Sequence, residues 1–170
     1  MTVIEHIEVG SGGAASIVFD LIPATYTDLF IKVSARSTRA DVQDWYQLKF
    51  NTSSASFSGR NLYAVVGTGV FSNTNLQIFI PSANSTSNTF GNGSIYLPNY
   101  ASSANKSFSV DSVTENNATS AIPYLLAGLW SNTSAINEIE LDCINGNFVE
   151  FSSATLYGIT AGSDGVTSVS

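Results

Sequence analysis

The stretch Asp28-Leu29-Phe30-Ile31-Lys32-Val33-Ser34 decides the fold class. Leu29, Ile31 and Val33 fall on one side of an extended chain, and Phe30, Lys32 and Ser34 on the other. Alternation with period two marks a strand that buries one face. The same pattern recurs outward in both directions. Upstream, Ile17, Phe19 and Leu21 oppose Ser16, Val18 and Asp20. Downstream, Tyr46, Leu48 and Phe50 oppose Gln47 and Lys49, and Leu76, Ile78 and Ile80 oppose Gln77 and Phe79. Further on, Phe108 and Val110 oppose Ser107, Ser109 and Asp111, and Ile139, Leu141 and Cys143 oppose Glu138, Glu140 and Asp142.

Turn-forming clusters separate these runs, among them Gly10-Ser11-Gly12-Gly13, Ser82-Ala83-Asn84-Ser85 and Asn145-Gly146-Asn147. No stretch sustains a helical period with caps. Residues 122–130 come nearest, but their aromatics and Gly128 read as a buried strand. The expected fold is all-β, an antiparallel β-sandwich of jelly-roll-like form with about nine or ten strands.

Three segments are expected. Residues 1–13 form an N-terminal strand or arm with a Gly-rich hinge, 14–160 a single sandwich domain, and 161–170 a flexible C-terminal tail. The N-terminal strand pairs either within its own domain or with a neighbouring chain's sheet edge. On the second alternative, Ile4 and His6 are contact residues.

Composition narrows the function. Of 170 residues, 44% are hydrophobic and only 11% charged, against about 25% charged in ordinary soluble domains. The surface must therefore dissolve largely through Ser, Thr and Asn. The net charge is −7, and the six cations (Lys32, Arg36, Arg39, Lys49, Arg60 and Lys106) are scattered along the chain. Nucleic-acid binding needs clustered cations for counterion release, so neither nucleic acid nor a membrane surface is an expected partner. The start Met1-Thr2-Val3-Ile4-Glu5 has neither the basic nor the apolar region of a secretion signal. Synthesis in a cytoplasm is expected.

Chemistry-bearing residues are sparse. His6 is the only histidine and Cys143 the only cysteine, too few for a triad or a zinc site. Cys143 reads as a small core residue. Glu138, Glu140 and Asp142 share one strand face, whereas glycosidase carboxylates converge across a groove. They read as a solvated face that discourages edge pairing, with weak calcium binding as the other use. No phosphate-binding glycine motif is present. The expectation is a protein without catalytic residues, cofactor or metal. The better lead is aromatic: Phe30 and Phe79 point outward if alternation holds, and outward apolar groups mark contact surfaces. Tyr63, Tyr96, Tyr100, Tyr124, Trp45 and Trp130 are of the type that stacks on sugars.

The ordered phrases Ala15-Ser16-Ile17-Val18-Phe19, Ile22-Pro23-Ala24-Thr25-Tyr26-Thr27-Asp28-Leu29 and Ser34-Ala35-Arg36-Ser37 resemble the opening of small virion proteins of tailed bacteriophages. Asn88-Thr89-Phe90-Gly91-Asn92, Ile95-Tyr96-Leu97-Pro98-Asn99-Tyr100, Asn105-Lys106-Ser107-Phe108-Ser109-Val110-Asp111 and Ser153-Ala154-Thr155-Leu156-Tyr157-Gly158-Ile159 extend the likeness over most of residues 14–160. The resemblance implies a virion structural protein, either a capsid decoration (cement) protein or a tail-associated one. It also implies a jelly-roll-like sandwich in homo-oligomers, often homotrimers. The implied partners are the major capsid protein and further copies of the chain, with host surface polysaccharide as the partner of the tail alternative. No catalytic residue comes with it.

Overall fold

The computed structural model describes residues 1–65, 69–73, 76–116 and 121–161. Among them there is no helix, and so none long and apolar enough to cross a membrane. The described residues form twelve strands: β1 (Thr2–Glu8), β2 (Ser16–Phe19), β3 (Asp28–Ala35), β4 (Gln43–Phe50), β5 (Phe57–Val65), β6 (Gly69–Asn73), β7 (Ile78–Pro81), β8 (Gly91–Pro98), β9 (Lys106–Glu115), β10 (Ala121–Trp130), β11 (Ile139–Cys143) and β12 (Ser153–Ile159). They form an antiparallel β-sandwich. The larger sheet has the order β1-β12-β3-β8-β9-β10-β5-β6, and the smaller β2-β11-β4-β7.

Twelve strands exceed the expected nine or ten. The hairpin of β5 and β6 is the main addition, because residues 57–73 show no clean alternation and carry Gly59, Gly67 and Gly69. Elsewhere periodicity and burial agree. Burial alternates without interruption along β9 and almost without interruption along β3, β4 and β10. The inward residues of the two sheets meet in one apolar core. Its centre is aromatic: Phe50 lies 5.1 Å from Phe57 and 5.6 Å from both Phe108 and Trp130, ring centre to ring centre. Such pairs add about 0.5–1.5 kcal/mol each beyond their buried area.

Two expected strands need correction. Leu21 does not extend β2 inward; it sits in the following turn at φ 49°, 89% exposed. Phe79 does not point outward; it is buried, within 5.2–5.8 Å of the rings of Tyr63, Trp45 and Tyr124. The reason is the position of β7 at an edge where the two sheets close on each other. All four of its residues are buried, and Thr114 Oγ1 of β9 donates to the Phe79 carbonyl. A strand covered on both faces has no outward side for alternation to report.

Of the two roles open to the N-terminal strand, the structure has β1 paired with β12 of its own domain, at the edge of the large sheet. Gly10 to Gly13 is a closed turn, with Gly13 N–H donating to the Gly10 carbonyl and Ala14 bridged to Phe148. The expected tail lies outside the described residues from 162 onward.

Two buried cations tie loops to the sandwich. Arg36 donates through Nη1 to the carbonyls of Thr86 and Thr89 (2.8 and 3.0 Å) and through Nη2 to those of Ser85 and Ala83 (3.0 and 3.3 Å). Lys106, 1% exposed, donates to the carbonyls of Ala104, Ser134 and Asn132. Neutral carbonyls replace the water each charge gives up.

Candidate functional site

The outer face of the large sheet follows from strand register. One cross-strand row runs Tyr157, Phe30, Tyr96, Ser109, Ala127, Arg60. The next runs His6, Thr155, Lys32, Ser94, Asp111, Leu125, Leu62. Small side chains occupy the middle: Ser94, Ser109 and Ala127. Larger ones stand on either side, Phe30 and Tyr96 on one flank and Arg60, Leu62 and Leu125 on the other. The result is an open groove of about 670 Å³, within the ~300–1,000 Å³ range of small-ligand sites. Leu62 (48%), Leu125 (53%) and Tyr96 (37%) are exposed there, and Val113 (43%) extends the apolar surface along β9.

The aromatic flank is held in place. The Tyr96 hydroxyl donates to Asp28 Oδ2 at 2.7 Å, and Asp28 Oδ1 accepts from the Asn99 N–H at 2.9 Å. The hydrogen bond to Asp28 is the first cause of a raised phenol pKa, so Tyr96 stays protonated. Phe30 lies 6.5 Å from Tyr157, and Lys32 Nζ sits 5.3 Å from the Phe30 ring centre. No hydrogen bond or ion pair holds the exposed Asp111 carboxylate among the described residues.

The four residues expected at a contact surface are not brought together. Phe30 lines the groove and Phe79 is in the core. Ile4 is half-buried against the core at a bulge in β1, and exposed His6 is joined to Thr155 Oγ1 through Nδ1 at 2.7 Å. Of the six aromatics of the sugar-stacking type, Tyr100, Tyr124 and Trp130 are fully buried and Tyr63 and Trp45 half-buried, leaving Tyr96 as the exposed one. Arg60, Leu62, Asp111 and Leu125 went unrecognised. Asp111 and Leu125 lie on outward positions of regular strands, so alternation carries their signal; Arg60 and Leu62 lie in β5, where it fails.

The acidic row also differs from expectation. β11 is an interior strand between β2 and β4, so its carboxylates guard no edge. Lys49 Nζ bridges Asp142 (2.9 Å) and Glu140 (3.2 Å), and Gln47 donates to Asp142. The hydrogen bond to Asp142 leads the causes that raise the Lys49 pKa. Lys49 therefore occupies the place a calcium ion would need. Among the described residues no three His, Cys, Asp or Glu side chains gather as a metal site. Cys143 is a core residue, with its thiol 3.6 Å from buried Asp44.

Comparison with protein-family models, curated proteins and solved structures finds no match to this chain.

Proposed function

We propose that this chain is a structural protein of a bacteriophage particle, binding the outside of the capsid and stabilising it by surface contact. The observation that carries it is the outer face of the large sheet, where Leu62, Leu125, Val113 and Tyr96 are exposed beside Ser94, Ser109 and Ala127, with Asp111 and Arg60 on the same face. Exposed apolar side chains gathered on one sheet face are the kind of surface that marks a place of contact. A low-charge, hydrogen-bonding surface suits dense packing on a lattice, where many copies gain from effective concentration. The ordered sequence phrases that resemble phage virion proteins supply the setting.

Strand order supports a jelly-roll relationship. In a jelly roll of eight strands, one sheet has the order first-eighth-third-sixth and the other second-seventh-fourth-fifth. Here β2-β11-β4-β7 follows the first order. The run β3-(β8-β9-β10)-β5-β6 follows the second if the three-strand meander β8-β9-β10 stands in place of one strand. An odd number of strands preserves the direction of every neighbour. β12 and β1 then extend the sheet beyond β3. Jelly rolls recur in viral capsid and lectin domains, and a shared fold does not by itself assign function.

The partners in this reading are the major capsid protein and further copies of the chain, as a trimer. Purified protein added to mature shells that lack it is expected to co-sediment with them and raise their resistance to heat. Failure of both effects overturns the reading. The groove favours a second reading, a tail or fibre module that recognises host surface glycan. Copy number separates the two: capsomer stoichiometry means the capsid, and a few copies per particle mean the tail.

A further inference from the structure

We propose that the groove on the outer sheet face binds a neutral oligosaccharide, with the Tyr96 ring as its stacking platform and the Asp111 carboxylate as a hydroxyl acceptor. This rests on the glycan reading above, the alternative to capsid docking on the same face, and names its site and ligand class.

The chemistry of the groove distinguishes its occupants. Asp111 projects beside Ser94 and Leu125, and among the described residues no side chain or backbone group pairs with its carboxylate. An ionised carboxylate accepts hydrogen bonds and donates none. An apolar protein segment laid into the groove would strip it of water and return nothing, a heavy cost for a charge. Sugar hydroxyls are donors that replace that water, and Ser94 and Ser109 add side-chain hydroxyls along the floor. A carbohydrate ring also presents an apolar C–H face, which the part-exposed Tyr96 ring complements. The Asp28 hydrogen bond holds that ring in one orientation before ligand arrives, so less conformational freedom is lost on binding. The groove lining holds one anion, Asp111, and one cation, Arg60, so its charge balances and the ligand class is neutral.

Asp28 does not reach the ligand in this scheme; it positions Tyr96. Tyr96→Phe keeps the stacking face and loses the tether. Asp28→Ala loses the tether too, so the two changes overlap.

The experiment is titration of the full chain with neutral hexose oligosaccharides (maltohexaose, cellohexaose, mannohexaose and galactohexaose), with oligogalacturonate as the acidic comparison. Calorimetry and saturation-transfer NMR give the readout. Saturable binding of at least one neutral oligomer is expected. Tyr96→Ala and Asp111→Asn should each weaken it by about tenfold or more, and Tyr96→Phe by only about two- to fivefold. Asp28→Ala should weaken the parent protein but add nothing in the Tyr96→Phe background. Unchanged melting temperatures in Tyr96→Phe and Asp111→Asn keep the result separate from misfolding. Absence of binding to every neutral oligomer, binding of the acidic one alone, or affinity indifferent to Tyr96 and Asp111 overturns the proposal. Binding of a neutral oligomer unaffected by these variants would leave the glycan reading standing while removing this site. Shell binding is scored in its own assay and tests the capsid reading, which competes with this one for the same sheet face.

Discussion

The ring of Phe108 lies over the backbone of Gly128, its direct partner across the β9–β10 ladder. A Cβ at position 128 would enter the space of that ring, which also packs against Phe50 and Phe57. Gly128→Ala is therefore expected to destabilise the fold by about 1–3 kcal/mol through overpacking. At Gly10 a Cβ meets nothing within 4 Å, so Gly10→Ala should stay within about 0.5 kcal/mol of the parent. Urea unfolding midpoints of the two variants check the contrast, and equal midpoints would contradict this account of the core.

Arg36 gathers four backbone carbonyls of residues 83–89 through one planar guanidinium. Lysine cannot reproduce that fork. Arg36→Lys is expected to leave carbonyls unpaired and cost about 1–3 kcal/mol. Limited proteolysis should show cleavage within residues 83–89 at protease levels that leave the parent intact.

Lys49 and Lys106 should respond oppositely to alkali. The carboxylates of Asp142 and Glu140 raise the Lys49 pKa above its ordinary 10.5. Its contribution is fully present below 10.5 and is lost as pH climbs through the higher folded value. Burial lowers the Lys106 pKa below 10.5. There the unfolded chain holds the proton longer, so stability rises as pH passes through the folded value toward 10.5. Relative to the parent, Lys49→Met should lose less stability on the way to strong alkali, and Lys106→Met should gain less. Unfolding curves across a pH series read both slopes; slopes of the same sign would refute the assignment.

Burial, with the nearby Asp44 charge second, pushes the Cys143 thiol up to about 12 from 9.0. Below 9.0 both states keep the proton. Above it the unfolded thiol ionises first, so stability falls with rising pH. At neutral pH the native thiol should resist a disulfide reagent and become reactive only as denaturant unfolds the chain. Rapid labelling of native protein would contradict the buried position.

Much of this architecture is legible along the chain, for a local reason. In β3, β4 and β9 one face meets the core and the other meets water, so burial writes a period of two into the residues themselves. Cys143 was legible as core on the same ground. Periodicity misleads where that condition lapses. Phe79 alternates like an outward residue, yet β7 is covered on both faces. Leu21 continues the pattern of β2, yet the chain turns before it. β5 carries Arg60 and Leu62 to the groove without a clean alternation to announce them.

The candidate site was less legible than the fold. Phe30, Ser94, Ser109, Asp111 and Leu125 are each readable as outward positions, but nothing local says that they are neighbours. That depends on register between strands far apart in sequence, such as β3 with β8 and β10 with β5. The acids of β11 show the same limit. Their common face follows from spacing, but their pairing with Lys49, 91 residues from Glu140, exists only once β4 lies beside β11.

The sequence by itself determined that this is a β protein with a large apolar core, a weakly charged surface and few residues suited to catalysis. Periodicity and composition are local quantities, and the chain carries them before it folds. Tertiary structure alone decided which strands are neighbours, that Phe79 turns inward, that Lys49 bridges Glu140 and Asp142, and that Tyr96 and Asp111 share one groove. Those are relations between distant segments, set by sheet order and by how the two sheets close on each other.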